Sequence, residues 1–430
     1  MKADIVAVLL LSILLAAGTL LAGELPPLAD LLAALESGNF QIRRKAVLAV
    51  EGREEPQLLD KVLEMAGKDD HPNIRGAAAD VLATFRDERV FPVLETMATT
   101  DQVGPRQHAF VALGRLADPR GRQILRQGLK DPPTTAAYAA KGLGLHGDPE
   151  DFQVVATFFV THQKNPYVAE MTPEALDRLD RDRAIELVLA KFADLVSYAR
   201  RNAGRELAKH PRPETRKAME GHLAAKDEGL RQNAIEVLAW TGDKAAAPAL
   251  IEHLAGPKED RVVTAGALGM LKAATAVPEL VPLLTDRDGG LRTSVANAHG
   301  QIGERAAVRP LATALAVEKE GPVKIRAIEA LGRIGDARAI ATLIPFLADE
   351  AFVPQPMDIS AIWPYPHNAH VHGIAVWSIL TLRDGKEPFE TSELTAFRTG
   401  KAPARIAADV KAIREWWKKA SGDERYRLLD

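Results

Sequence analysis

Val323-Lys-Ile-Arg-Ala-Ile-Glu-Ala-Leu-Gly-Arg-Ile-Gly-Asp336, followed by an apolar stretch around Leu343 and Leu347, is one copy of a unit that recurs about every 31 residues. A fixed period of this length is the mark of a repeat architecture, so it outranks local signals. Ten further copies align with this one. The aligned position, expected to open the second helix of each copy, holds Arg43, Arg75, Arg106, Ala136, Val168, Arg200, Arg231, Arg261, Arg292, Lys324 and His372. Three residues later the series is mostly small (Ala46, Ala78, Ala109, Ala203, Ala234, Ala327). Seven later it is mostly large and aliphatic (Val50, Leu82, Leu113, Leu238, Leu268, Leu331). Offsets of three and seven share one helical face, so small and large residues alternate along a stripe into which a neighbour can pack.

The other helix of each unit carries its own stripe, in pairs four residues apart such as Leu250/Leu254, Leu280/Leu284, Leu311/Leu315 and Leu343/Leu347. Gly147-Asp148, Gly242-Asp243 and Gly335-Asp336 punctuate the helices. Glycine takes the left-handed conformation that ends one helix, and aspartate caps the next. Pro248 and Pro278 fall early in the following helices, where a missing N–H is harmless. The repeated Arg and Asp read as structural, tying each unit to the next. The unit around Val168 departs most, with Pro173 inside its expected second helix and a bend expected there.

These residues resemble the HEAT-repeat family, in particular the short HEAT-like repeats of phycobilisome-lyase relatives, over roughly residues 28–385. The resemblance implies an all-α fold, an α-solenoid built as a right-handed superhelix of about eleven helix pairs with C-terminal capping helices. It also leaves a lyase-like or enzyme-accessory role open as an alternative. It fixes the fold more than the activity. Unbroken periodicity predicts one continuous array over 24–348, an insertion over 349–371, a last repeat helix over 372–385 and a cap over 386–430. In that cap Ile406, Val410, Ile413 and Trp417 make one apolar stripe.

Residues 1–23 stand apart, with Lys2 near the start and an uncharged apolar run from Ile5 to Ala22. This pattern predicts an export signal, or an N-terminal membrane anchor formed by residues 5–22 if it is not cleaved. The expected location is therefore periplasmic or extracellular. The chain has no Cys, which excludes disulfides and thiol chemistry. A formal charge of −3 argues against a nucleic-acid binder. Nor is there a G-x-S-x-G elbow, a phosphate-binding glycine loop or a His-Glu pair, so the expectation is a non-enzymatic scaffold with no catalytic residue and no cofactor, acting on a protein partner.

Three places invite a site. The insertion Asp349–His372 interrupts the period with Pro354, Pro356, Pro364 and Pro366 and concentrates aromatics at Trp363 and Tyr365, which makes it a candidate recognition element. Within it His367, His370 and His372 supply imidazoles for a metal-binding or sensing alternative, provided the stretch is irregular enough for them to converge. Arg200, Arg201 and Arg205 form a basic patch suited to an acidic partner. His299 replaces the usual core Leu and is expected to be buried and hydrogen-bonded.

Overall fold

The structure, a computed structural model, describes residues 26–349, 352–353, 369–384 and 403–426. The expected export signal or anchor lies outside the described residues. Among those described, no helix is long and apolar enough to cross a membrane.

The chain forms two compact units, Met1–Glu206 and Leu207–Asp430. The first contains α1 (Leu28–Leu35), α2 (Phe40–Leu48), α3 (Pro56–Lys68), α4 (Pro72–Leu82), α5 (Val90–Thr100), α6 (Val103–Leu116), α7 (Gly121–Gly128), α8 (Pro133–His146), α9 (Phe152–His162), α10 (Pro166–Leu179) and α11 (Arg181–Lys191). The boundary falls in α12 (Ser197–Lys209). The second unit continues with α13 (Pro213–His222), α14 (Glu228–Trp240), α15 (Ala247–His253), α16 (Lys258–Met270), α17 (Val277–Leu280), α18 (Gly289–Ile302), α19 (Val308–Val317), α20 (Gly321–Ile334), α21 (Ile340–Leu343), α22 (Val371–Asp384) and α23 (Pro403–Ala420). Odd-numbered helices up to α21 are the first of each pair and even-numbered ones the second. The sequence period runs through the division, so both units are built on one repeat. The fold is an α-solenoid.

The second helices begin a turn earlier than the sequence suggested. Arg43 is the fourth residue of α2 and Arg75 the fourth of α4. The cause is a cap four residues before the repeated basic residue. Asn39, Asp227 and Asp288 each accept a hydrogen bond from a backbone N–H of the first turn, and His71 does so through Nδ1. The Gly-Asp punctuation is as read: Gly147, Gly242 and Gly335 have φ of 81°, 66° and 79°. Asp148, Asp243 and Asp336 accept from Glu150, Ala245 and Arg338 N–H groups. Pro173 lies inside α10, which stays helical to Leu179.

Two devices join neighbouring pairs. The first is steric. In the first unit α6 packs on α8, and in the second α16 on α18 and α18 on α20. At the contact, eight residues past the repeated position, stand Gly114, Gly269 and Gly300. A Cβ built on Gly300 would lie 2.8 Å from Ala330 Cα, and one on Gly114 would lie 2.3 Å from Gly142 O, so the backbones meet with no room for a methyl.

The second device is a ladder of charged hydrogen bonds. Arg43 Nε and Nη2 donate to Asp69, both at 2.9 Å, while Nη1 donates to Ser37 O at 2.9 Å. Arg75 repeats this on Asp101 at 2.8 and 2.6 Å, and its Nη1 donates to Asp69 O at 2.8 Å. In the second unit Arg292 holds Glu318 at 2.7 and 3.1 Å and Asp286 O at 2.8 Å, and Lys324 reaches Asp349 at 3.1 Å. Each arginine thus satisfies a carbonyl at the end of its own pair's first helix and a carboxylate at the end of the next. A carboxylate there faces the negative helix end, an unfavourable placing that the guanidinium offsets. Burial alone would raise the Asp69 and Glu318 carboxyls. The hydrogen bonds from Arg43 and Arg292, added to those from the backbone N–H of His71 on Asp69 and of Lys319 and Glu320 on Glu318, together outweigh it and hold both below the usual range. The acid paired with the repeated arginine is therefore not the aspartate of Gly-Asp. Asp336 instead binds Arg338, two places on, at 2.9 Å, while Asp148 and Asp243 hold Arg122 and Arg216 on the first helices α7 and α13. Where Ala136 and Val168 replace arginine, neutral contacts such as Asn165 Nδ2 to Thr134 Oγ1 at 3.0 Å stand instead.

The insertion has a short stem: β1 (Phe352–Val353) pairs antiparallel with β2 (Ala369–His370), Phe352 opposite His370. Beyond it, α23 packs on α22 with Ile406 and Ile413 buried and Lys411, Arg414 and Lys418 exposed.

Candidate functional site

The second helices of the first unit leave one face open. There α2, α4 and α6 line a cavity of about 470 Å³, within the range of ligand-binding clefts. Its character comes mostly from α2. Phe40, Arg44 and Leu48 recur at four-residue spacing, a stripe distinct from the one that buries Ala46 and Val50. Phe40 is 39% exposed and Leu48 44%, and no other described helix exposes two large apolar side chains. Phe40 is held in place by stacking flat on the His71 ring, 4.3 Å away, and His71 is itself fixed as the cap of α4. Arg44 is exposed and makes no hydrogen bond or ion pair among the described residues.

The opposite wall is self-compensated. Asp80 on α4 and His108 Nδ1 on α6 lie 2.8 Å apart. The His108 ring lies over Gly76, where a Cβ would come within 2.6 Å of it, so glycine makes the space the ring occupies. Gln41 and Asn73 bring amide side chains to the lining. The net result is a half-open cleft with two apolar contacts flanking a cation that is unpaired among the described residues.

In the second unit the corresponding face is filled. Arg326 and Glu329, two and five residues past Lys324, are 7% and 2% exposed and form a 2.9 Å ion pair. Asn233 donates to Glu236 at 3.3 Å at the same offsets past Arg231. Nearby, Asp260 is fully buried and accepts from Arg231 at 2.5 Å, with His253 Nε2 at 3.0 Å. His299 is fully buried too, but neither ring nitrogen has a partner among the described residues, contrary to the expected hydrogen bond. The cause is its position among apolar core residues of the stripe. Burial lowers its pKa to about 4.

Of the residues singled out in the sequence, Trp363, Tyr365 and His367 lie outside the described residues, as does the side chain of His370. His370 has its backbone in β2. His372 is half-buried near the start of α22, its N–H donating to Asp349 O at 2.9 Å. Among the described residues no group of His, Asp and Glu gathers as a metal site. Arg200 is 7% exposed at the ladder position, Arg201 is half-buried and Arg205 exposed, all on α12. The cleft residues were not singled out. The four-residue spacing of Phe40, Arg44 and Leu48, off the core stripe, was the signal available.

The fold is a repeat solenoid with one open face in its first unit. The sequence matches the profile of HEAT repeats over residues 28–114, 189–266 and 256–326, and that of the PBS lyase HEAT-like repeat over 323–349. The chain belongs to the HEAT-repeat family. No curated protein matches it. Among solved structures it is similar to that of Kap95p with RanGDP, at 15% identity over 92% of this chain and 63% of that one, with a TM-score of 0.55. It also aligns with human deoxyhypusine hydroxylase (22% identity, 65% and 96% covered, TM-score 0.26) and with a Kap121p mutant (16%, 88% and 44%, 0.40). The chain spans less than half the length of Kap121p, and the likeness to Kap95p, at 15% identity, shows the fold alone.

Proposed function

We propose that the chain is a non-enzymatic scaffold that holds a protein partner and works outside the cytoplasm. The observation that carries the scaffold reading is the cleft on α2, α4 and α6, where Phe40 and Leu48 remain exposed around Arg44, which has no partner among the described residues. Exposed apolar side chains gathered beside a cation are what a partner surface requires. Asp80 and His108 resemble half of a catalytic relay, but the cavity lining holds no Ser, Thr or Cys for the pair to activate. The reading outside the cytoplasm rests on the apolar run Ile5–Ala22 and on a chain without cysteine.

Affinity capture from an envelope fraction tests both parts. The full-length chain is expected to retain a protein that a Leu48→Asp variant of equal thermal stability does not. Equal recovery with both variants sinks the cleft as the binding surface. Recovery of the native chain only from the cytosolic fraction sinks the location.

A further inference from the structure

Resting on the scaffold reading, the chemistry of the cleft narrows its partner. We propose that it takes an extended acidic segment of another protein, in which two large apolar side chains four residues apart flank a carboxylate. Phe40 and Leu48 are eight residues apart on α2, a span of about 12 Å at 1.5 Å per residue. An extended chain advances about 3.3 Å per residue, so side chains four apart cover about 13 Å and face the same way. The residue midway between them then lies opposite Arg44.

Charge selects what that middle residue is. Arg44 has no partner among the described residues, whereas Asp80 is already held by His108 at 2.8 Å. The one uncompensated charge met at the centre of the stripe is therefore positive, and a carboxylate complements it. The lining amides select the ligand's backbone form. The side chains of Gln41 and Asn73 make no hydrogen bond among the described residues, and each presents a donor and an acceptor. An extended segment has free backbone N–H and C=O groups to meet them. A helix has spent its own.

The test uses the full-length chain and a fluorescein-labelled peptide, Gly-Ser-Phe-Glu-Asp-Glu-Leu-Ser-Gly, followed by fluorescence anisotropy. Two control peptides carry Lys at the three acidic positions, or the same residues with Phe and Leu adjacent. The acidic, spaced peptide is expected to bind at least about tenfold more tightly than either control. Arg44→Glu is expected to weaken it about tenfold and Leu48→Ser about fivefold, with circular dichroism and melting unchanged because both side chains are exposed. Equal affinity for the three peptides, or indifference to Arg44→Glu, overturns the proposal. So does a dimer in size-exclusion chromatography that Leu48→Ser dissociates, which would give the face to a second copy of the chain. Failure of all three peptides while envelope capture still depends on Leu48 overturns this inference and leaves the scaffold reading standing.

Discussion

Two and five residues past the repeated basic position, the two units treat the same helix face in opposite ways. On α20 those places hold Arg326 and Glu329, buried and paired. On α2 and α4 the five-residue place holds Leu48, 44% exposed, and Asp80, which reaches across to His108. The backbone and the register are shared, as the glycine contacts at Gly114 and Gly300 show. What differs is side-chain length and charge. A long Arg beside a Glu three residues on closes over its own helix, whereas Leu with an Arg four residues before it stays open. A repeat therefore fixes its joints uniformly and leaves one face free to vary, and function is carried on that face.

The comparison is open to attack, beginning where the effect is largest. Glu329→Ala removes one member of the buried pair on α20 and is expected to cost about 3 kcal/mol in urea unfolding of the second unit. A loss below about 1 kcal/mol would mean that face is not closed. Arg231→Ala is expected to cost about 2 kcal/mol, less because His253 still hydrogen-bonds the buried Asp260. An unchanged midpoint would return the ladder to the surface.

His299→Leu sharpens the contrast from inside the core. At neutral pH it is expected to stabilise by about 1 kcal/mol, since it removes buried nitrogens without partners. The folded His299 has its pKa lowered to about 4 from 6.5. The unfolded chain then binds the extra proton first. The native protein keeps full stability above about pH 6.5 and loses it as pH falls toward 4, by on the order of 3 kcal/mol. The Leu variant is expected to lack this slope, and unfolding midpoints at pH 7, 5.5 and 4.5 check it. The smallest effect belongs to the open face: Leu48→Ser is expected to shift stability by less than about 0.5 kcal/mol. A larger loss would show that the cleft is core.

How much of this was legible depended on whether a residue's role repeats. The period, the small-large stripe and the Gly-Asp ends followed from the sequence because every unit needs the same joints. The helix start was misplaced by a turn, because the caps differ in kind, Asn39, His71 and Asp227 doing one job with different chemistry. The partner of each arginine was hidden for another reason. It lies 25 or 26 residues on, at a helix end where Asp69, Asp131 and Glu318 vary in type and exact position. The cleft was least legible, since Phe40 and Leu48 lie off the repeated core stripe at places whose residues change from unit to unit. Only the packing shows which stripe of α2 is covered.

The ladder has one further consequence. Asp69 grips Arg43 with its carboxylate and Arg75 with its carbonyl, so neighbouring rungs are linked like clasps and share any strain along that edge. The copies at Ala136 and Val168 break this chain and substitute neutral contacts. Under tension applied at the ends of the first unit, the edge between α8 and α10 is the place expected to yield first.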